Sequence, residues 1–424
     1  MSNKSIQPTK LSKEIDKLNI IEKYSEQVEE RTNNFTDNQE GFNKDQGREG
    51  AKQRISFLKK MKIETPHVSG GAESLKFEEL NGNIENFIGM AQVPIGLAGP
   101  LKVKGPQTNE DFFVPLATTE GALVASYNRG MKACFASGGV TSVCLIENMQ
   151  RCPFFKFSDI LEVGRFIKWV HQNMERFRSI VSESSRFAEL IEIRSNIEGN
   201  SVILTFEFST GDAAGQNMVT ICTDKVCKYI LENFSIKPVE WYIESNYAGD
   251  KKATALSFSS ARGKKVTSEI ILPEKVLGTV LKTSAQKMAK YWQAATLSVI
   301  QSGAIGAQGH VANGLTALFV ACGQDVACIA ESAVGLTRME VVNDGDLYVS
   351  VTLPSLVVGT IGGGTGLSTQ KECLEMLGCY GVGKVEKFAE IATALVLAGE
   401  VSIAAAMSVD HFTKAHENLG RKNG

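Results

Sequence analysis

The segment from Asn246 to Lys252, Asn-Tyr-Ala-Gly-Asp-Lys-Lys, places an ammonium group directly after a carboxylate. It follows a short run of alternating apolar residues, so the pattern predicts a loop that leaves a β-strand. Two lysines behind an aspartate are most often only a solvated turn. Three further segments favour a functional interpretation: Thr118-Thr119-Glu120-Gly121, Gly323-Gln324-Asp325, and His411 to His416. Together they supply an acid, an ammonium, a second carboxylate and a histidine, which can protonate, polarise and relay during carbonyl reduction.

Composition narrows the class of protein that could carry this chemistry. The 424 residues suffice for two or three domains, and the formal net charge is −2, from 45 basic and 47 acidic residues. This balance argues against a general nucleic-acid or anionic-membrane binder, while leaving room for a local basic patch for one phosphorylated ligand. A hydrophobic content of 43% supports sizeable cores, and 39 glycines against 10 prolines indicate close backbone approaches rather than disorder.

The cysteines and the apolar segments bear on the compartment. Nine cysteines are scattered without a Cys-x-x-Cys pair, so neither a metal centre nor a disulfide framework is expected, and a reducing cytoplasm fits best. The N-terminal residues MSNKSIQPTK are polar, without the apolar core of a signal peptide. The most apolar stretch, Ile391 to Val409, contains Glu400 and many small residues, which predicts a packed interior helix rather than a membrane span.

A helix is predicted to begin near Glu120, capped by one of the two threonines before it. Apolar residues recur along it at helical spacing, and a neighbouring polar stripe suited to phosphate is formed by Ser126, Arg129 and Lys132. A solvated helix face is the ordinary alternative for that stripe, as simple helix-dipole stabilisation is for the glutamate. Farther along, residues 275–303 are predicted to be largely helical, and the small-residue segment Gly306 to Ala321 predicts a tightly packed central helix.

Residues 152–242 differ from the rest of the chain in their pattern of apolar and polar residues. Their pattern predicts a helix over residues 157–182, a hairpin, a second helix and a strand, which indicates a small α+β domain. The second helix opens with a Gly/Asp-rich turn, Gly211 to Asn217, and such a turn at a helix N-terminus can hold a dinucleotide phosphate. Such turns are often only caps, and the absence of G-x-G-x-x-G disfavours a Rossmann domain. The turn Gly362 to Gly366 offers a second backbone surface for phosphate or ligand.

Longer motifs resemble the hydroxymethylglutaryl-CoA (HMG-CoA) reductase family, in its eukaryotic and archaeal form without a membrane region. They follow the family's order over roughly residues 80–420, and they are too long and specific for chance. The motifs are ENFIGMAQVPIGLAGPL, ATTEGALVASYNRG, SSRF, GDAAGQNM, NYAGDKK, HVANGLTALFVACGQD, VGTIGGGTGL and HFTKAH.

The resemblance implies an α+β fold, with a large domain built around a central helix and an inserted small ferredoxin-like domain that binds the nucleotide. An N-terminal helical segment and flexible arm would occupy residues 1–84, the large domain 85–151 and 243–424, and the small NADP-binding domain 152–242. The active site would lie at the subunit interface of a homodimer or homotetramer, with an acyl-CoA substrate and neither nucleic acid nor membrane as partner. The reaction implied is the four-electron reduction of HMG-CoA to mevalonate by two NADPH, with release of CoA.

The same resemblance assigns catalytic roles to four residues. Glu120 would donate a proton to the reduced carbonyl oxygen, and Lys251 would stabilise that oxygen as negative charge develops. Asp325 would sit between them and tune both by charge and hydrogen bonding. His416, rather than His411, would protonate the departing CoA thiolate, because the family motif ends on the second histidine.

Binding positions are carried over by motif in the same way. Those for the substrate are Ser126, Asn128, Arg129, Arg151, Asp250, Lys252, Lys282 and Asn313. Those for the nucleotide are Ser185, Arg186, Asp212, Gly215, Gln216, Asn217, Gly362 and Gly363. The Ser185-Arg186 pair would meet the NADP 2′-phosphate, for which the planar fork of arginine is well suited.

The acyl pocket departs from the family pattern. Where the family has a serine and a glycine before Asn246, this chain has Glu244 and Ser245. Where the family has a proline after the two lysines, this chain has Ala253. The family has a lysine that contacts the substrate's terminal carboxylate, and here that lysine is absent, with Gln293 nearest to its position in a shorter segment. Ile329 takes the place of an asparagine of the family. A carboxylate at position 244 would oppose a substrate carboxylate unless one were protonated. A gap of one residue would instead put the serine in that place, and the sequence allows both alignments.

Three functions are therefore compatible with the sequence. The first is an NADPH-dependent HMG-CoA reductase, and the second is a related reductase for a different acyl thioester. The third, a catalytically silent binding protein, is disfavoured because all four catalytic positions carry the family's residues. NADPH oxidation measured against several acyl-CoA substrates separates the three.

Overall fold

The computed structural model describes residues 47–70, 80 and 82–409. Most of the predicted N-terminal arm and the histidines His411 and His416 lie outside the described residues. The longer helices are α1 (Arg48–Lys60), α2 (Leu123–Ala136), α3 (Ile160–Gln172), α4 (Met174–Ser184), α5 (Gln216–Asn233), α6 (Ala285–Ser302), α7 (Val311–Ala321), α8 (Ser368–Met376) and α9 (Val385–Ser408). The strands are β1 (Ile95–Lys104), β2 (Asn109–Ala117), β3 (Val140–Arg151), β4 (Phe154–Lys156), β5 (Glu189–Glu198), β6 (Ser201–Ser209), β7 (Glu240–Tyr242), β8 (Gly263–Leu272), β9 (Leu336–Val342) and β10 (Asp346–Leu356).

Strand β3 joins the two halves of the sheet. The strand order is β7-β4-β6-β3-β8-β10-β9, with β1 paired to β2 and β3, and β5 paired to β6. Most of β3 pairs antiparallel with β8, whereas its last residues, Met149 to Arg151, pair with β6. Arg151 therefore stands at the point where the larger and the smaller half of the molecule meet.

The smaller half contains β4, α3, α4, β5, β6, α5 and β7, and its strands run antiparallel in the order β5-β6-β4-β7. The predicted hairpin is confirmed, and its second strand buries Val202, Leu204 and Phe206. One predicted feature is wrong, because the helix expected over residues 157–182 is two helices. They meet at Asn173, whose side-chain amide donates a hydrogen bond to the backbone oxygen of Trp169. The ferredoxin-like description and the domain boundaries stay predictions of the resemblance.

Helix α9 is the centre of the larger half. By length and composition it could cross a membrane, but 83% of its most apolar window is buried inside the fold, as in a core helix. It contacts α2, α6, α7, β3, β8 and β10. Small residues make this possible, because a Cβ added at Gly130 of α2 would lie 1.8 Å from the backbone oxygen of Ala398. The prediction of a packed interior helix over residues 391–409 is thereby confirmed.

Two predicted helices have different bounds in the structure. The segment Gly306 to Ala321 becomes helical only at Val311, and the central position belongs to α9 instead of to α7. The helix expected over residues 275–303 is interrupted, because a π-helical turn, Leu277–Leu281, ends at Lys282 with a left-handed φ of 60°. Helix α6 then starts afresh from Ser284, whose side chain accepts a hydrogen bond from Lys287.

Candidate active site

The loop after β7 holds Lys251 in an unusual backbone conformation. Its φ is 56°, a left-handed value that a residue with a long side chain adopts only when its surroundings enforce it. One such constraint is the hydrogen bond from its backbone N–H to Oε1 of Glu331, at 3.2 Å. The Nζ of Lys251 lies 3.2 Å from Oδ2 of Asp325, so the two residues predicted to be catalytic form an ion pair.

This pair keeps both groups charged. The hydrogen bond from Lys251 to Asp325, with the charge of that carboxylate, raises the pKa of the lysine. Burial acts to raise the pKa of Asp325, but the hydrogen bond and charge of Lys251 outweigh it and lower that pKa. The side chains are 47% and 41% exposed, so a ligand can reach them. An ammonium held this way can stabilise an oxyanion without having to reorganise first.

Gln216 connects the nucleotide motif to this pair. It is the first residue of α5, and its Nε2 lies 3.4 Å from Oδ2 of Asp325 and 3.0 Å from Sγ of Cys328. Cys328 is fully buried, and burial together with the nearby Glu331 raises the pKa of its thiol, which therefore stays neutral. This thiol was not identified from the sequence, because a single cysteine three residues after an aspartate carries no motif.

A buried charge network lies beneath the lysine loop. Arg262 is only 2% exposed and reaches Oδ1 of Asp250 at 2.7 Å and Oε1 of Glu331 at 2.7 Å. Burial raises the pKa of Glu331, and the arginine opposes that shift. Since Glu331 also accepts the N–H of Lys251, the network fixes the backbone that carries the ammonium. Sequence reasoning missed both Arg262 and Glu331, which have no periodic pattern and pair across 69 positions.

Arg151 is held by two carboxylates. Its Nη1 lies 3.1 Å from Oε2 of Glu244 and 3.4 Å from Oδ2 of Asp250. The hydroxyl of Ser245 points elsewhere and donates to the backbone oxygen of Cys152 at 2.8 Å. Of the two residues that the sequence left open, the structure therefore directs Glu244 towards Arg151. Two predicted substrate ligands, Arg151 and Asp250, are thus paired with each other.

Glu120 lies before helix α2 and not in its first turn. The prediction that the helix begins near Glu120 is wrong because Ala122 adopts a φ of 67°, which delays the helix to Leu123. The hydroxyl of Thr118 does accept the N–H of Glu120 at 3.0 Å, but it closes a bend and does not cap the helix. The carboxylate of Glu120 is within 3.4 Å of Nδ2 of Asn313, another predicted site residue.

The polar stripe of α2 faces α9. Arg129 donates to the hydroxyl of Ser402 at 3.1 Å and to its backbone oxygen at 2.7 Å, and Ser126 contacts the same hydroxyl at 3.0 Å. Burial lowers the pKa of Arg129.

Asn128 instead accepts the N–H of Gly99, which fastens α2 to β1. The cleft beside the stripe is lined by Glu120, Ser126, Arg129, Tyr291 and Asn313, among others. Lys282 is exposed.

A single copy of the chain does not bring all the predicted catalytic groups together. Asn313, the partner of Glu120, lies in the first turn of α7, whereas Asp325 follows the other end of that helix. From Asn313 to Ala321 the helix rises about 12 Å. Among the described residues no hydrogen bond or ion pair joins Glu120 to Lys251 or Asp325. The prediction that Asp325 sits between the other two is therefore not met within one chain.

Some predicted nucleotide residues have structural contacts instead. The carboxylate of Asp212 accepts backbone N–H groups from Gly383 and Lys384, at 2.8 and 2.9 Å, and so caps α9. Gly215 has a φ of 78°, and a Cβ there would lie 2.4 Å from the side chain of Thr210. Both observations explain the residue types without a ligand.

Other residues predicted to bind the nucleotide have exposed side chains or free space around their backbone. The hydroxyl of Ser185 is occupied within the chain, since it accepts two backbone N–H groups and donates to the sulfur of Met218 at 3.0 Å. Arg186 beside it is exposed, with its guanidinium 5.8 Å from the ring of Phe187. Asn217 is exposed at the start of α5. Gly362 and Gly363 adopt φ values of 76° and 54°, and a Cβ at either would meet nothing within 4 Å.

Three glycine-containing loops meet beside Asp325. Ala213 forms a β-bridge with Ile361, and the N–H of Thr360 donates to the backbone oxygen of Asp212 at 2.8 Å. Gly323 lies so close to Gly364 that a Cβ at position 323 would be 2.3 Å from the oxygen of residue 364. The predicted nucleotide loops and Asp325, the aspartate predicted to be catalytic, therefore share one region, although they are distant in sequence.

Comparison with known proteins identifies the family. The family model for hydroxymethylglutaryl-coenzyme A reductase matches residues 50–421. The 3-hydroxy-3-methylglutaryl-coenzyme A reductase of Methanocaldococcus jannaschii is 42% identical over 376 residues, which are 87% of this chain and 92% of that protein. The enzyme of the same name from Aeropyrum pernix is 44% identical over 356 residues, 82% of this chain and 84% of that one.

A solved structure shares the fold. It is the class II 3-hydroxy-3-methylglutaryl-CoA reductase from Streptococcus pneumoniae bound to NADPH in open conformations, with a TM-score of 0.68 and 18% sequence identity. The alignment covers 84% of this chain and 96% of that chain. The α+β fold class predicted from the sequence is confirmed. The match over most of both chains, with the motifs in order, shows that this chain belongs to the hydroxymethylglutaryl-coenzyme A reductase family.

Proposed function

We propose that this protein catalyses the NADPH-dependent, four-electron reduction of HMG-CoA to mevalonate, with release of CoA. The observation that carries the proposal is the Lys251–Asp325 ion pair, which is half exposed and lies beside the loops of the nucleotide motif. Family membership supports the same reaction. The test is a product analysis: purified protein with HMG-CoA and NADPH should yield mevalonate, identified by mass, and a reaction that consumes no NADPH would refute the proposal.

Residues of this chain would stabilise the negative charge and supply the protons of the reaction. Lys251 donates a hydrogen bond to the thioester oxygen as it becomes an oxyanion, and Asp325 keeps that ammonium charged and oriented. Glu120, held by Asn313, supplies the proton that converts the oxyanion of the second reduction to a hydroxyl. After the first reduction the oxyanion instead re-forms a carbonyl as the carbon–sulfur bond breaks, so an aldehyde forms and the sulfur leaves as a thiolate, which His416 would protonate. The aldehyde oxygen then occupies the same place beside Lys251 for the second reduction.

The open residues described above fit NADPH. Bound NADPH supplies the hydride in each reduction. Arg186 would hold its 2′-phosphate, and Ser185 beside it would join only by giving up the contact of its hydroxyl with Met218. The exposed start of α5 at Asn217 and the open backbone of Gly362 and Gly363 would receive phosphate oxygens. The side-chain amide of Gln216 would couple the nucleotide loop to Asp325, because it contacts that carboxylate.

Two copies would complete each site. Glu120 and Lys251 are both exposed, yet they lie towards opposite ends of α7 in one chain. Helix α6 leaves Leu297 and Ile300 62% and 68% exposed, an apolar surface that a second copy would cover. In the proposed homodimer the partner subunit's Glu120 faces Lys251 and Asp325 across the interface.

Cofactor preference gives one expected outcome. Arg186→Ala should raise the KM for NADPH by about tenfold while leaving the KM for NADH nearly unchanged, since only the former carries the phosphate that the guanidinium would contact. Initial rates at varied NADPH and NADH measure both constants. Arg176→Ala is a matched control, because that exposed arginine on α4 is paired with Glu183. An equal loss for both cofactors would show that Arg186 does not meet the 2′-phosphate.

His416 lies outside the described residues, and its role is proposed from the family motif alone. His416→Gln should slow reduction of HMG-CoA by about 10²-fold, because the thiolate would leave without a proton donor. Mevaldehyde reduction, which needs no thiolate expulsion, should keep most of its rate. If mevaldehyde reduction falls as far as thioester reduction, the histidine serves a different step.

A cytoplasmic location is also proposed. It is supported by the nine cysteines, all of which are buried and unpaired, as expected in a reducing compartment. Fractionation of cells that express the tagged protein tests it, and recovery of the activity with membranes would count against it.

A further inference from the structure

The cleft that contains Glu120 is also lined by His310, which is paired with a buried carboxylate. We infer that His310 acts through Glu120 as a positioning residue: its imidazole, held by Glu400, returns to Glu120 the proton that each turnover removes. The inference rests on the proposed function, because it concerns the proton that Glu120 gives in the second reduction. It goes further in naming the residues that restore this proton.

Glu400 is a buried anion on helix α9. It is 2% exposed, and its carboxylate accepts the backbone N–H of Gly309 at 2.6 Å, the backbone N–H of His310 at 2.8 Å and the hydroxyl of Thr337 at 2.8 Å. Burial acts to raise the pKa of Glu400, but hydrogen bonding and electrostatic attraction from His310, with the backbone N–H of Gly309, outweigh it and lower that pKa. The carboxylate is therefore ionised, although it lies in the core.

This carboxylate fixes the imidazole of His310. The ring Nδ1 lies 3.3 Å from Oε1 of Glu400. Because an ionised carboxylate can only accept, Nδ1 carries the hydrogen, and Nε2 is left to bind or release a proton. The imidazole also stacks on the buried ring of Tyr127, with 5.2 Å between the ring centroids and 14° between the planes. Two glycines leave room for that tyrosine, since a Cβ at Gly314 of α7 or Gly399 of α9 would lie 2.2 or 2.4 Å from it.

The other ring nitrogen of His310 has no hydrogen-bond partner within the described part of the chain. This atom, Nε2, is buried. A buried nitrogen left in this way is destabilising unless a ligand or a water molecule reaches it. The cleft that His310 lines has a volume of about 360 Å³, which is room for water molecules between the imidazole and the carboxylate of Glu120.

Asn313 places Glu120 next to this histidine. The backbone N–H of Asn313 donates to the backbone oxygen of His310 at 3.0 Å, and its side-chain amide lies 3.4 Å from Oε2 of Glu120. Residues three apart at the start of a helix are neighbours on its surface. The imidazole and the carboxylate are therefore both next to Asn313. Glu400 holds this turn of α7 in place through the two backbone N–H groups that it accepts.

The other ionisable groups that line the cleft do not exchange a proton near neutral pH. Among the described residues they are Tyr127, Arg129 and Tyr291. Burial, together with the charge of Glu400, raises the pKa of both tyrosines. The guanidinium of an arginine keeps its protons. Histidine is the side chain that gains and loses a proton in this range, so His310 is the group that can recharge Glu120.

One proton passes from solvent to Glu120 in each turnover. In the second reduction Glu120 gives its proton to the oxyanion and becomes a carboxylate. The protonated imidazole of His310 then gives the proton on Nε2, through water, to that carboxylate, while Nδ1–H stays on Glu400. The neutral imidazole takes up a proton from solvent once the product has left. Only N–H and O–H bonds change in this step.

The test uses mevaldehyde, whose reduction includes the protonation by Glu120 but no loss of thiolate. His310→Ala should lower kcat for mevaldehyde and for HMG-CoA by about 10²-fold each, with little change in KM. Free imidazole should raise the rate of this variant at least about tenfold, because it fits the space that the side chain vacates. His171→Ala is the control, since His171 is exposed in the last turn of α3, and it should show neither the loss nor the rescue.

Two further variants separate proton return from a purely structural role. Adding His310→Ala to Glu120→Gln should slow the residual rate by less than about threefold, because a glutamine takes back no proton. Glu400→Gln keeps an acceptor oxygen for the N–H groups but removes the charge that holds the imidazole. It should lower kcat for mevaldehyde at least about tenfold, and it covers the case in which His310→Ala fails to fold.

The outcomes that overturn the inference are specific. They are mevaldehyde reduction near the wild-type rate in His310→Ala or in Glu400→Gln, a loss in folded His310→Ala that imidazole does not rescue, and losses that multiply in the double variant. In each of these cases a wild type that turns HMG-CoA into mevalonate keeps the proposed function. A wild type that oxidises no NADPH with either substrate overturns both.

Discussion

Lys251→Ala is expected to lower kcat for thioester reduction by about 10² to 10³ while the protein stays folded. In the proposed mechanism this ammonium stabilises the developing oxyanion. The side chain is 47% exposed, so its loss leaves no cavity in the core. Steady-state rates with circular dichroism as a folding check measure the effect. Lys156→Ala, which removes an exposed lysine paired with Glu240, should keep wild-type activity. Turnover near wild type in Lys251→Ala would remove the residue from the mechanism.

The same variant tests whether the site is shared between copies. Lys251→Ala and Glu120→Gln should each be nearly inactive alone. When their subunits are mixed and allowed to exchange, one of the two sites in each mixed dimer regains both intact halves. The mixture should therefore recover about a quarter of wild-type activity. A mixture that stays as inactive as its components would mean that each chain completes its own site.

Arg262→Leu is expected to lower the free energy of unfolding by about 3–5 kcal/mol, the cost of leaving buried carboxylates without their cation. Glu331 is 3% exposed and Asp250 20% exposed, and both lose their 2.7 Å contact to the guanidinium. Chemical denaturation measures the change. Arg338→Leu removes an exposed pair with Glu340 and should have little effect. A small change in both variants would show that the buried network does not stabilise the fold.

The pH dependence of that deficit has a definite sign. Burial raises the pKa of Glu331 in the folded protein, and Arg262 opposes the rise. A raised folded-state pKa contributes stability below the unfolded-state pKa, and this contribution is lost as pH rises through the folded-state value. Without the arginine the pKa rises further. The loss of stability in Arg262→Leu should therefore be smaller in mildly acidic than in mildly alkaline buffer.

The elements that sequence predicted best are those with a strong local pattern. The hairpin of β5 and β6 follows from alternation and from the turn between its strands, and α9 follows from its apolar and small residues. Boundaries set by a single backbone angle could not be predicted. The start of α2 depends on Ala122 and the break before α6 on Lys282, and neither residue type favours a left-handed conformation.

The residues of the candidate site likewise include some that a local sequence pattern predicts and some that it does not. Lys251 and Asp325 were identified from short motifs, and the structure pairs them. Arg262, Glu331 and Cys328 were missed because each derives its importance from a partner far away in sequence, which a local pattern does not encode. The cap that Asp212 provides to α9 has the same origin, since it joins positions 171 residues apart or more.

The reaction itself is tested most directly by its stoichiometry. Limiting HMG-CoA is incubated with excess NADPH and the purified protein, while NADPH oxidation, free CoA thiol and mevalonate are measured together. The proposed four-electron reduction predicts two NADPH oxidised for each thiol released, with mevalonate equal to the thiol. One NADPH per thiol with accumulation of mevaldehyde, or release of thiol without NADPH oxidation, would contradict it.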